Sequence, residues 1–212
     1  MQASKELKQR VVSSLIFSTV VAYPIYAGGI WTCLLSAVAG GLCVFEVLRC
    51  AKHFRQFLFV RTCAIIYILF GSTAFALLRD QFGLWATSFL IVATYLTDTF
   101  SFISGRVIGG PKLCPGISPK KTVSGFLCGV ICSTAASYSF AFLFMDKQLR
   151  CMILSMILAL VSTVGDLYIS FIKRRFGIKD FGDLIPGHGG MLDRLDSVML
   201  TSVVFYIFLQ IK

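Results

Sequence analysis

A chain of 212 residues that is 57% hydrophobic and 14% charged, with a mean hydropathy of +0.82, has too few polar side chains to cover the surface of a soluble domain. That excludes a water-soluble globular enzyme and makes lipid the expected solvent. The formal charge of +10 leaves two meanings, attraction to anionic headgroups of membrane lipid or a pocket for a polyanionic substrate, and nucleic acid is not an expected partner.

Apolar stretches close to the roughly 20 residues that cross a bilayer recur from end to end. They predict spans near 11–27, 29–48, 62–78, 83–103, 123–145, 151–172 and 196–211. Pro24 is expected to kink the first or end it early. The basic flank of that first stretch resembles a signal peptide, but no small-residue cleavage site precedes the next span, so it is expected to stay as span one. With seven spans, sixteen of the 20 Lys and Arg fall in the N-terminus and the loops after spans two, four and six, and only Arg79, Lys147, Arg150 and Lys212 fall opposite. Cytoplasmic loops are enriched in these residues, so the N-terminus is expected in the cytoplasm with all the charged loops on that face. The predicted fold is an all-α, polytopic helical bundle of about seven transmembrane helices, a single domain over 1–212. Eight scattered cysteines without a CxxC pair suit small hydrophobes in a reducing compartment.

Acids inside apolar spans are functional candidates by default. Glu46, near the end of span two, is expected to snorkel or to pair helices. Asp98, in "TDTFSFISGR", is surrounded by hydroxyls and runs into a basic loop. Asp166, in "STVGDLYISFIKRR", stands two helical turns before Lys173 and shares its face. Asp193 and Asp196, in "LDRLDS", are three apart at the start of span seven and project together. Two readings stay open. The acids could cap a helix start and pair with Arg194 or Lys179, or Asp166, Asp193 and Asp196 could form an oxygen site for a hard divalent cation such as Mg2+. His188 lacks the partners of a zinc ligand.

Between these acids, "KRRFGIKDFGDLIPGHGG" interleaves Gly187, Gly189 and Gly190, which let backbone approach a ligand, with Lys173, Arg174, Lys179 and His188, which suit phosphate. The earlier loop "GRVIGGPKLCPGISPKKTVSG" sets Ser118, Lys121 and Thr122 at a helix start that could offer amide N–H groups to an anion. It is not a Walker A loop, because Pro115 and Lys120 stand where that motif needs glycine, and no GxGxxG occurs.

The run "SFIKRRFGIKDFGDLIPGHGGMLDRLD", Ser170 to Asp196, closely resembles the signature of the phosphatidate cytidylyltransferase (CDP-diacylglycerol synthase) family, S-x-x-K-R-x-x-x-x-K-D-x-x-x-x-x-P-G-H-G-G-x-x-D-R-x-D, with every fixed position filled. "SPKKT", Thr97–Asp98 and Gly165–Asp166 are similar to outlying elements of that family in the same order, so the resemblance covers the chain from about residue 77, its catalytic part. Relatives often carry two more spans, and the segment between Glu46 and Leu77 is short by comparison. The resemblance implies that CTP and phosphatidate give CDP-diacylglycerol and pyrophosphate in phospholipid biosynthesis, with Mg2+ as cofactor. It implies catalytic positions at Lys121, Lys173, Arg174, Lys179, Asp180, His188 and Arg194. Substrate contacts would come from Asp98, Ser118, Thr122, Gly187, Gly189 and Gly190, and metal contacts from Asp166, Asp193 and Asp196. It further implies a multi-pass protein of the inner (plasma) membrane, its site facing the cytoplasm, and it is compatible with a homodimer. Two rivals are a polyprenol-type lipid kinase, which would also bring a nucleotide to a membrane alcohol, and a transporter, whose acids should spread along a pathway rather than cluster at one depth.

Overall fold

The computed structural model describes residues 19–50, 57–142, 148–184 and 189–211. Helices dominate, as lipid demands: with no water in the hydrocarbon, each backbone N–H and C=O must find a partner within its own segment. The elements are α1 (19–27), α2 (Ile30–Cys50), α3 (Leu58–Val107), β1 (Lys112–Cys114), β2 (Ser118–Thr122), α4 (Val123–Phe142), α5 (Gln148–Arg175) and α6 (Leu192–Gln210). Helix α3 packs against α2, α4, α5 and α6 and is the centre of the bundle.

Among the described residues, four helices are long and apolar enough to cross a membrane: Ile30–Cys50, Leu58–Val107, Val123–Phe140 and Leu149–Arg175. The second holds two of the spans expected from sequence, 62–78 and 83–103. Its 50 residues bend at Gly83, whose φ of 81° and ψ of −170° are open to glycine and not to other residues. The residues expected to form a loop, 79–82, are helical, so one residue makes the break. Helix α6 carries Asp193, Arg194 and Asp196 in its first turns. Only 19–27 of the first expected span lies within the described residues. Pro24 does not end that helix, which continues to residue 27. It stops where the Arg79 guanidinium donates to the carbonyls of Ile25 (2.6 Å) and Tyr26 (2.9 Å), a cation at a helix C-terminus.

Several hydroxyl side chains inside the bundle satisfy themselves locally. Thr94, Thr97, Thr163, Thr201 and Ser202 each donate to the carbonyl four residues earlier, at 2.6–3.2 Å. Thr97 also donates to the Ser133 hydroxyl (3.1 Å), tying α3 to α4. The outer surface is apolar: Phe59, Phe70, Leu127 and Ile131 are exposed, as side chains facing lipid should be.

The all-α expectation needs one addition, a two-stranded antiparallel hairpin with Lys112 opposite Thr122 and Cys114 opposite Ser118. Pro111, Pro115 and Pro119 bar a helix here. A hairpin of this size is marginal alone. It is fixed at both ends: Val123 N–H donates to the Pro111 carbonyl (2.9 Å), and Arg174 Nε of α5 donates to the Ile117 carbonyl in the turn (3.1 Å).

Candidate active site

A cleft of about 610 Å³ opens between the C-terminal part of α3, the hairpin, α4 and α5. Five of the residues singled out from sequence line it: Asp98 from α3, Ser118, Lys121 and Thr122 from β2, and Asp166 from α5. The Lys121 ammonium forms an ion pair with the Asp166 carboxylate, whose other oxygen accepts the Ser170 hydroxyl at 3.3 Å. The partner of Asp166 is therefore Lys121, some 45 residues away, although Lys173 shares its helix face. Thr122 is buried, and its hydroxyl accepts the Gly125 N–H at 3.1 Å, so it caps the start of α4 and fills part of the anion-binding capacity expected there. Arg106, Lys112 and Lys120 add three cationic side chains that the sequence reading left without a role.

A second cluster forms where α5 ends and α6 begins. Lys173 Nζ lies 3.0 Å from Asp193 Oδ1, with side-chain exposures of only 12% and 7%. Asp193 Oδ2 accepts the N–H groups of Phe181 (3.0 Å) and Gly190 (3.1 Å). Phe181 itself is buried in the core beside Ile172 and Leu192. Asp193 thus stitches the glycine-rich segment to α6, close to the helix-capping reading of the sequence.

Glu46 takes the helix-pairing half of its sequence reading and not the snorkelling half. It does not snorkel: it is 2% exposed, and its two oxygens accept the N–H groups of Met191 (2.8 Å) and Leu192 (3.0 Å), an N-terminal cap of α6 supplied by α2. Gly190 is required by this packing. A Cβ there would stand 2.8 and 2.9 Å from the two Glu46 oxygens and 3.0 Å from Asp193 Oδ2. Glu46→Ala is expected to strand two buried donors at about 1–3 kcal/mol each. Thermal unfolding and activity should fall together, and a Tm equal to wild type would contradict this role.

Asp196 lies between the two clusters. Its Oδ1 accepts its neighbour Ser197 N–H at 2.7 Å, its backbone carbonyl accepts the Tyr67 hydroxyl, and the charges of Asp166 and Asp98 both act on its carboxylate. Three carboxylates from α3, α5 and α6 therefore share one electrostatic environment, with Lys121 on Asp166. Among the described residues, no three of His, Cys, Asp or Glu converge tightly enough to hold a metal ion by themselves. The donor chemistry of Asp98 and Asp166, hard oxygens lining the cleft, with the Asp196 carboxylate acted on by both, nevertheless suits a magnesium ion whose remaining ligands are phosphate oxygens and water.

A model of the cytidylyltransferase family matches residues 51–212. The chain belongs to that family. It is similar to the phosphatidate cytidylyltransferase of Rickettsia bellii, at 35% identity over 161 residues covering 68% of this chain and 70% of the relative. It is also similar to the enzymes of that name from Rickettsia conorii, at 38% over 131 residues (58% of this chain, 57% of the relative), and Brucella abortus biovar 1, at 38% over 147 residues (68% and 54%). The chain thus spans little more than half the length of two of these three relatives.

The remaining signature residues of this cytidylyltransferase family member are placed unevenly. Arg174 is exposed and donates to the carbonyls of Ile117 (3.1 Å) and Ile178 (3.4 Å), so it clamps the hairpin to the end of α5 and is not among the side chains lining the cleft. Lys179 and Asp180 are exposed in the glycine-rich segment, and Arg194 is exposed on the first turn of α6. Gly189, at φ 87°, packs beside Asp193. Gly187 and His188 lie outside the described residues. Tyr67 and Glu46 were missed as supports of the site. For Glu46 a signal existed, since an acid seven residues after Ala39 and three after Cys43 falls on the buried face of α2 and must find donors there.

Proposed function

We propose that the chain transfers the cytidylyl group of CTP to phosphatidate, giving CDP-diacylglycerol and pyrophosphate. The observation that carries this reading is the mixed charge of one cleft: the carboxylates of Asp98 and Asp166 share its walls with Arg106, Lys112, Lys120 and Lys121, a combination suited to a metal-bearing polyanion. The names of its family relatives supply the substrates.

In this reading a phosphate oxygen of phosphatidate attacks the α-phosphorus of CTP. A new P–O–P link forms, the bond from the α-phosphorus to the β-bridging oxygen breaks, and pyrophosphate leaves with that electron pair. The second pKa of a phosphate monoester is near 6, so the nucleophile is largely dianionic at neutral pH and needs no strong general base. The obstacle is repulsion between two polyanions. Lys121, with Arg106, Lys112 and Lys120, offsets the charge that grows on the leaving group. Asp166 and Asp196, with Asp98, would hold Mg2+, which when bound draws charge off the triphosphate. Asp193 and Lys173 satisfy each other within the chain and are assigned to shaping the glycine-rich segment beside the site. The lipid tails of substrate and product stay in the bilayer while the headgroup reaches the cleft.

We place this cleft on the cytoplasmic face of the inner membrane, in a seven-span topology. Arg49, Arg106, the hairpin and Lys173 stand at one end of the bundle, whereas Arg79 and Arg150 sit at the helix ends opposite. A homodimer would have to cover part of the apolar outer surface, which faces lipid in the monomer. On a cysteine-free background, Pro115→Cys and Asp183→Cys should react with an impermeant thiol reagent only from the cytoplasmic side, and Gln81→Cys only from the other. Reaction of positions 115 and 183 from different sides would contradict a single site built by both segments.

The reaction is tested by pyrophosphate release from purified protein in detergent with magnesium. Release should require CTP and phosphatidate together, and diacylglycerol should not replace phosphatidate. Pyrophosphate formed without lipid, or none with both substrates, would overturn the proposal.

A further inference from the structure

A narrow apolar cavity of about 110 Å³ lies between α1, α2, α3 and α6, apart from the charged cleft. Its wall follows α6 from Met191 and Leu195 to Ser202, roughly 16 Å of helix at 1.5 Å per residue. Met191 and Leu195 flank Asp193 on the chain, so one end of the cavity begins at the level of the site. Tyr95, which also lines it, feels the charges of Asp98, Asp196 and Arg194. Tyr95 lines the cavity one helical turn before Asp98, which lines the charged cleft, so the two spaces approach each other along α3. At the far end stands Ser36 of α2, 7% exposed, with no hydrogen-bond partner for its hydroxyl.

We propose that this cavity receives one acyl chain of the glycerolipid substrate and selects among substrates by chain length. This rests on the proposed use of phosphatidate. The cavity is lined almost wholly by carbon, and its wall runs along the helix whose first turns carry Asp193 and Asp196. A lipid whose phosphate lies beside Asp98 and Asp196 can pass one tail by Tyr95 and Leu195 toward Ser36, while the other tail remains in the bilayer. The depth of the cavity then limits how much of the chain is gripped.

Ser36 is the position to block, because removing its unpartnered hydroxyl sacrifices no hydrogen bond. Turnover by the wild type should rise from dioctanoyl to dioleoyl phosphatidate. Ser36→Phe, which fills the far end, should lower kcat/KM for the dioleoyl substrate by about tenfold or more relative to the dioctanoyl substrate, since the methylenes beyond the block lose their burial. In parallel, phosphatidate carrying a diazirine near the end of one acyl chain should label Ser36, Phe75 or Ser202 of the wild-type protein, a readout that does not depend on the variant folding. An unchanged dioleoyl-to-dioctanoyl ratio in a folded Ser36→Phe, or label confined to outward-facing residues such as Phe70 and Ile131, would overturn the assignment. Failure of the wild type to turn over phosphatidate of any chain length would instead remove the reaction on which it rests.

Discussion

Asp166→Asn is expected to lower kcat by about three orders of magnitude at saturating substrates, with the protein still folded and membrane-inserted. The side chain is 23% exposed and its ion pair with Lys121 is equally accessible, so water screens the pair and its loss does little to the fold. Asparagine is nearly isosteric and can still accept the Ser170 hydroxyl. What disappears is one negative charge in the group formed with Asp98 and Asp196, and with it much of the attraction for a divalent cation. Lys121 also loses its fixed partner and with it the position from which it meets the triphosphate. The variant should therefore need more magnesium as well as turning over slowly. Wild-type kcat in a magnesium titration would remove Asp166 from the chemistry.

Asp193→Ala should be equally inactive for a different reason. Its pair with Lys173 is nearly inaccessible, and breaking a buried pair from one side costs about 3–5 kcal/mol because the other charge is left without compensation. The N–H groups of Phe181 and Gly190 lose their acceptor in the same change. The segment between α5 and α6 should loosen, seen as faster amide hydrogen exchange over residues 177–184. Asp193→Asn keeps an acceptor but not the charge and should fall between, with the magnesium requirement of the residual activity unchanged. A raised magnesium requirement in Asp193→Asn would make this residue a ligand and contradict its structural assignment. The Asp166 and Asp193 variants thus separate two roles that the family resemblance, which implies a metal contact at both, does not.

The long apolar elements were legible because hydropathy over some twenty residues is a strong signal, and the expected spans over 29–48, 123–145 and 151–172 differ from α2, α4 and α5 by only a few residues. The 79–82 break was not, because Arg79, Asp80 and Gln81 read as loop while Gly83 alone supplies the bend. The prolines around the hairpin announced an irregular segment without saying which strands would pair. Among the site residues, periodicity gave the face and not the partner. Asp166 and Lys173 share a side of α5, yet one pairs with β2 and the other with α6. Arg174 looked like a phosphate ligand because guanidinium suits phosphate, and it suits carbonyl oxygens of the hairpin equally well. Glu46 meets its donors some 145 residues away, a distance over which local pattern carries no information.

In the proposed reaction the α-phosphorus of CTP is the atom attacked, and the destination of two labels tests this. Purified protein would be given phosphatidate, magnesium and CTP labelled at either the α- or the γ-phosphate. The α label should enter the lipid product, the γ label should leave as pyrophosphate, and chelating magnesium should stop both. Lipid labelled from the γ position would identify a kinase, and the absence of α label from lipid at every magnesium concentration would contradict cytidylyl transfer by this chain.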